Sequence, residues 1–317
     1  MHRVWRGLLV AVATLVAPAA HAQDEPPAAG LQSAGPDREP NFQVNSSLSG
    51  TRYSLSNIPG VPTTSGNQET LSMELIAFGA PLHDDDSPYS LQAFMQRENT
   101  FTLSVRGGRF DTANPFGGVG RTEWFAGVGG GFSAYLKPWF AVFGGASYEY
   151  FDLHDIGTAQ TGHSFAGDVG VGFRLRNTRL DLSAGEQGDR TSGAFGPWRR
   201  SLRLSAFTVI KRRVALTAVG ALVEGGEEGS FEVEVFPTKS AGLFVSGFAG
   251  QFEPYVTPTL ATRYAGTAGF AGWLDANTAL VGEYELTYEM DLATPPSTSG
   301  YHELSHTVVV EAYLRFP

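Results

Sequence analysis

The chain has 317 residues, no Cys, 39 Gly and 22 Phe, with 32 acidic side chains against 22 basic ones and a net charge of −10. The missing Cys excludes disulfide staples and thiolate metal sites. The negative charge disfavours a nucleic-acid partner. Length alone would allow two domains, but a regular repetition from about residue 100 to the end argues for one large unit.

The first element reads as a secretory leader over residues 1–22. Arg3 and Arg6 form its charged start, Gly7 to Ala20 its apolar core, and Ala20-His21-Ala22 fits the small-x-small cleavage rule, leaving Gln23 first. Cleavage removes Arg3 and Arg6 and no acid, taking the net charge from −10 to −12. Residues 23–40, rich in Pro, Ala and charge, read as a disordered linker.

Two strand-like stretches follow, 42–56 and 69–79, separated by Pro59-Gly60-Val61-Pro62. Asn45-Ser46-Ser47 and Ser54-Leu55-Ser56 lack a face fit for lipid. Residues 41–98 are therefore expected below or inside the main structure, as a periplasmic or lumenal segment. Its helix is predicted over 88–98. Ser87 is a good N-cap, Pro88 suits the first helical position, and Leu91, Phe94 and Met95 fall at helical spacing. The run Asp84-Asp85-Asp86 complements the helix dipole and lacks the alternating ligand spacing of a calcium loop.

From residue 99 the chain alternates in strand-length stretches. Phe101, Leu103 and Val105 share one face and Arg106 the other. Trp124, Val128 and Phe132 oppose Glu123 and a set of glycines, and Tyr148 and Tyr150 oppose Glu149. Phe165, Val169 and Phe173 oppose Asp168 and Arg174; Leu180 and Leu182 oppose Arg179 and Asp181; Leu202 and Leu204 oppose Arg203. Phe231, Val233 and Val235 oppose Glu232 and Glu234, and Tyr264 and Phe270 oppose Arg263. Leu280, Tyr284 and Leu286 face away from Glu283, Glu285 and Glu289. Val308, Val310, Ala312, Leu314 and Phe316 face away from Glu311 and Arg315. Stretches 214–223 and 240–252 are apolar or small on both faces.

The joins are of two kinds. Lys137-Pro138, Arg176-Asn177-Thr178, Lys211-Arg212-Arg213, Pro237-Thr238-Lys239 and Asp275-Ala276-Asn277 are tight; 111–120, 152–160, 188–198, 225–229, 253–258 and 291–301 are looser. Short turns at one end and longer loops at the other mark a transmembrane β-barrel. The strands run roughly 9–15 residues, enough to cross a bilayer at a tilt. Trp124, Trp139, Trp198 and Trp273 lie toward strand ends, as aromatic girdles do. The ending Val310, Ala312, Leu314, Phe316 resembles the C-terminal assembly signal of outer-membrane β-barrel proteins, with Pro317 in place of a terminal Phe. The resemblance covers about 99–317. It implies porin-like architecture, an outer-membrane location in a Gram-negative cell, lipid as surroundings and the barrel-assembly machinery as a partner.

The fold expected is therefore all-β, a closed antiparallel barrel of about twelve strands, or fourteen if 42–56 and 69–79 join the wall. The sixteen charged residues on the faces opposite the apolar ones are expected to line its lumen. They read either as a salt-bridge network filling a narrow interior or as an acidic lining that selects small solutes or cations. His154, His163, His302 and His306 lie at the looser end, but no Gly-x-Ser-x-Gly elbow or His-x-Ser-Asn string accompanies them. The expected function is a small pore or structural barrel, not an enzyme, with no cofactor and no metal. The alternatives are an outer-membrane hydrolase of the phospholipase or lipid A deacylase kind and a secreted soluble β-protein.

Overall fold

The structure is a computed structural model, and it describes residues 39–56, 64–113, 120–155, 158–191, 194–195, 198–252, 260–292 and 302–317. The leader and the linker expected over 1–38 lie outside these. The chain forms β1 (Phe42–Ser56), β2 (Thr64–Phe78), a 3-10 turn (Tyr89–Leu91) running into α1 (Gln92–Gln96), β3 (Thr100–Thr112), β4 (Arg121–Lys137), β5 (Phe140–Asp155), β6 (Thr158–Leu175) and β7 (Thr178–Thr191). A two-residue strand, Ala194–Phe195, hangs on β7. Then come β8 (Arg199–Ile210), β9 (Val214–Val223), β10 (Gly226–Thr238), β11 (Ala241–Phe252), β12 (Leu260–Trp273), β13 (Thr278–Leu292) and β14 (His302–Phe316).

Each strand pairs antiparallel with its neighbours in sequence, and β1 pairs with β14 from Phe42 opposite Phe316 to Ser56 opposite His302. The ring is thereby closed with fourteen strands and no free edge, which is how a sheet satisfies every backbone group in lipid. The preferred count of twelve is corrected. The stretches near 42–56 and 69–79 belong to the wall, the second beginning at Thr64. Asn45 and Ser47 occupy the same face as Gln43, while Phe42, Val44 and Leu48 take the other. The lipid-facing surface that β1 lacks is supplied by its partners: Leu48 stands between Leu71 and Val310, and Val44 between Leu75 and Leu314. A strand with half an apolar face suffices when its two neighbours flank it.

The apolar rows point outward. Leu71 and Phe101 are each 58% exposed and Val169 is 68% exposed. Soluble proteins rarely expose a continuous surface of large apolar side chains, so the sandwich alternative does not describe this fold. No helix among the described residues is long and apolar enough to cross a membrane. The chain crosses with strands.

Helix α1 is shorter than the predicted 88–98. It ends at Arg97, whose φ of 61° is left-handed. Ser87 does not cap it; Leu91 holds its N-cap and Pro88 that of the 3-10 turn, while Ser87 donates from both its backbone N and its hydroxyl to the Asp85 carboxylate, at 2.8 and 2.9 Å. The insertion between β2 and β3 folds back across the tight-turn end. Leu91, 5% exposed, packs with Val209, Ala215 and Phe236, with Phe94, Met95 and Phe207 alongside. Ala215 is the point at which the inner face of strand 214–223 receives the insertion.

Candidate functional site: the interior and its plug

Three basic side chains of the wall hold the insertion. Arg315, at the end of β14, donates to Gln92 Oε1 and to the Tyr89 carbonyl, each at 2.7 Å, and to Gln43 Oε1 at 2.8 Å. Its guanidinium also lies 4.3 Å from the centre of the Trp273 ring. Arg174, at the end of β6, donates to the Phe94 carbonyl and lies 4.0 Å over the Phe94 ring. Lys239, in the β10–β11 turn, meets the Asp84 carboxylate and the Asp85 carbonyl, and the Tyr89 backbone N–H donates to the Lys239 carbonyl at 3.1 Å. Arg174 and Arg315 are buried, 5% and 7% exposed. A buried guanidinium needs acceptors for its donors, and the insertion's backbone carbonyls supply them.

Trp273 departs from the girdle expectation. It is 7% exposed and packs between Arg315 and Tyr89, with ring centres 5.5 Å apart in the second pair. Strand parity puts it on the inner face, where it flanks the insertion. Trp124, Trp139 and Trp198 are 51%, 58% and 47% exposed. At the end of the chain, Phe316 stacks on Phe42 at 5.6 Å.

Farther from the plug, the charges expected on the inner faces fall into two groups. One is paired. Arg106 meets Glu149 at 2.7 Å, Arg179 meets Asp181 at 2.7 Å, Arg203 meets Glu228 at 3.3 Å and Arg263 meets Glu289 at 2.7 Å. Glu228 was missed as a partner because 225–229 read as a looser loop; it is part of β10.

The second group is acidic and shows no basic partner among the described residues. Glu232 and Glu234 on β10 and Glu283 on β13 line one cavity of about 440 Å³, floored by Ser90 and Ala93 of the insertion. None of the three makes an ion pair among the described residues. Glu285 accepts from Thr287 at 3.0 Å, and Glu311 accepts from the Tyr313 hydroxyl at 2.6 Å. Across the interior, a cavity of about 600 Å³ shares Ser90, Thr100 and Thr102 with the first and is bounded by Gly131, Gly144, Gly145, Asp168 and Arg179. Its small wall residues leave room. A Cβ on Gly131 would sit 3.2 Å from the Gly144 carbonyl, so the β4–β5 contact depends on glycine. A further depression of about 1010 Å³ is bounded by Phe165, Val169, Trp198 and Leu202 and lies largely on the outer apolar surface.

Among the described residues three histidines pair with tyrosines. His163, His302 and His306 each share a hydrogen bond through Nδ1 with a tyrosine hydroxyl, from Tyr148 at 2.8 Å, Tyr288, and Tyr284 at 2.6 Å. All three lie on outward rows. The side chain of His154 lies outside the described residues. No group of three or more metal-ligating side chains occurs among the described residues.

No protein-family model matches the sequence, and no curated protein does. Solved structures do match its shape. The toluene transporter TodX of P. putida has a TM-score of 0.56 at 11% identity, over 87% of this chain and 90% of that one. A Pseudomonas aeruginosa FadL homologue has a TM-score of 0.56 at 8% identity, over 88% and 91%. The CymD monoaromatic hydrocarbon channel has a TM-score of 0.50 at 8% identity, over 88% and 89%. At such identities the likeness is one of fold, and the fold is that of outer-membrane β-barrels.

Proposed function

We propose that this barrel is an outer-membrane channel for small solutes, closed at its periplasmic end by its own insertion 79–99 and lined by an acidic wall. Arg106, Glu123, Glu149, Asp168, Arg179, Asp181, Arg203, Arg263 and Glu289 brace the interior. Glu232, Glu234, Glu283, Glu285 and Glu311 give it a cation preference. Arg174 and Arg315 serve the plug. The carrying observation is the group of carboxylates around the cavity above the plug that show no basic partner among the described residues. A filled structural barrel would be expected to neutralise such charges, because burying an unpaired carboxylate is costly. The water of a conducting path removes that cost.

Orientation follows the joins. The tight turns and the plug share one end, which in such barrels faces the periplasm. Export through the cleavable leader and insertion by the barrel-assembly machinery complete this reading. Two of the named neighbours, TodX and CymD, are a transporter and a channel, which favours a channel over a hydrolase. The hydrocarbon passengers named for TodX and CymD suggest apolar solutes as a second class, but the carboxylates above the plug favour polar or cationic ones.

The test is the chain lacking residues 80–98. Gly79 N–H already donates to the Asn99 carbonyl at 2.8 Å, so the two ends can be joined directly. The expected result is a heat-modifiable barrel on SDS gels that gives steady, cation-selective conductance in planar bilayers. A heat-modifiable but silent deletion variant would reject the channel.

A further inference from the structure

We propose that the outer surface carries a binding site for a phosphorylated glycolipid headgroup of the outer leaflet, built by Arg52, His302, His306 and their tyrosine partners. This rests on the orientation given above.

Arg52 on β1 and His306 on β14 are direct partners across the strand pair that closes the barrel. Both are exposed, and both stand on the outward row. They lie ten residues along their strands from Phe42 and Phe316. At about 3.4 Å per residue and a tilt of about 40°, that is roughly 26 Å of height. The apolar band of such barrels is about 25 Å tall. Below the pair the outward rows are apolar, with Leu48, Val308 and Val310 all more than half exposed. The pair therefore stands where acyl chains give way to headgroups.

Its chemistry is specific. A guanidinium and an imidazole stand directly opposite each other on one face. Arg52 makes no ion pair among the described residues. The nearest outward acid, Glu69, is diagonal to it and sits beside Arg109, which is itself joined to Asp111 at 2.7 Å. The sequence flanking the two strands carries no acid: 57–63 reads Asn-Ile-Pro-Gly-Val-Pro-Thr and 293–301 reads Ala-Thr-Pro-Pro-Ser-Thr-Ser-Gly-Tyr. Glu303, Glu285 and Glu289 on the adjoining strands take the inner face.

The histidines are also oriented. When Tyr284 donates to His306 Nδ1, and Tyr288 to His302 Nδ1, each neutral imidazole carries its proton on Nε2, an outward donor. Arg52 and the facing His306 N–H match the oxygens of one phosphate, the guanidinium engaging two at once, while His302, four residues farther along the row, is placed for a second phosphate. On a chain of net charge −10 this basic patch is an exception that calls for an anion.

The test uses native mass spectrometry of the full chain in detergent. It is mixed with a bisphosphorylated acyl-disaccharide lipid, or with the same lipid stripped of phosphate. We expect the phosphorylated lipid to remain bound, and the Arg52→Gln/His306→Gln variant to lose at least tenfold of that adduct. Equal retention by the variant, or equal binding of the stripped lipid, would overturn the site. Heat-modifiable migration of both proteins is read in parallel. A folded barrel that ignores phosphate rejects this site alone, whereas an unshifted one rejects the barrel reading itself.

Discussion

Replacing Arg174 and Arg315 by Ala is expected to turn a mostly closed barrel into a mostly open one. Arg315 makes two of its hydrogen bonds to the insertion and Arg174 makes one, all from buried guanidinium groups. Hydrogen bonds to charged groups are worth about 1.5–3 kcal/mol each, and orphaned buried acceptors add to the loss. The bonds share one network and will not add simply, so a total of about 4 kcal/mol is a fair expectation. At about 1.4 kcal/mol per factor of ten, the ratio of open to closed barrels rises roughly several-hundredfold. Single-channel recording reads this as open probability. Because Arg315 also binds Gln43 within the wall, Leu91→Ala serves as the comparator that leaves every wall residue intact. Loss of a buried Leu typically costs about 2–5 kcal/mol, so its open probability should also rise steeply. Long closures in both folded variants would mean that the insertion does not control the path.

The second large effect concerns selectivity. In the chain lacking 80–98, Glu232→Gln, Glu234→Gln and Glu283→Gln together are expected to abolish most of the cation preference. A unit charge acting across about 8 Å of water is worth about 0.5 kcal/mol, so three give about 1.5 kcal/mol for a passing cation. Anions are disfavoured by the same amount, while salt near 0.1 M screens over about 10 Å. The net expectation is about a tenfold fall in the ratio of cation to anion permeability, read from the reversal potential in a KCl gradient. The paired residues give a control: Arg106→Gln together with Glu149→Gln removes a pair joined at 2.7 Å and already neutral, and should move the ratio much less. A reversal potential unmoved by the triple change would place selectivity elsewhere.

Much of this architecture was legible because lipid and a polar interior each impose period two. Rows such as Phe101-Leu103-Val105 against Thr102-Ser104-Arg106 announce a wall with two different sides. The strand count was misjudged where the signal is shared between neighbours. β1 presents Ser46 and Gly50 outward and borrows its apolar surroundings from β2 and β14, which no single-strand reading detects. The plug was half visible. Leu91, Phe94 and Met95 gave the helix, but its dock of Val209, Ala215 and Phe236, with Phe207 alongside, is spread over three strands and could not be read along the chain. Trp273 misled for the same reason. Its place beside a tight turn fits a girdle, yet strand parity turns it inward, where Arg315 and Tyr89 pack on it. The pairing of individual charges, such as Arg203 with Glu228, depends on register and could not be read along the chain.

The most direct test of the plugged channel uses the absence of native Cys. Tyr89 and Lys239, whose backbones share a 3.1 Å hydrogen bond, are close enough in the main chain for a disulfide to be engineered between Tyr89→Cys and Lys239→Cys. Oxidised, the barrel should be held shut and pass no current in a planar bilayer. Reduced, it has lost the Lys239 clamp and should open repeatedly, closing again on reoxidation. Equal conductance in the two redox states would contradict the claim that this insertion gates the path.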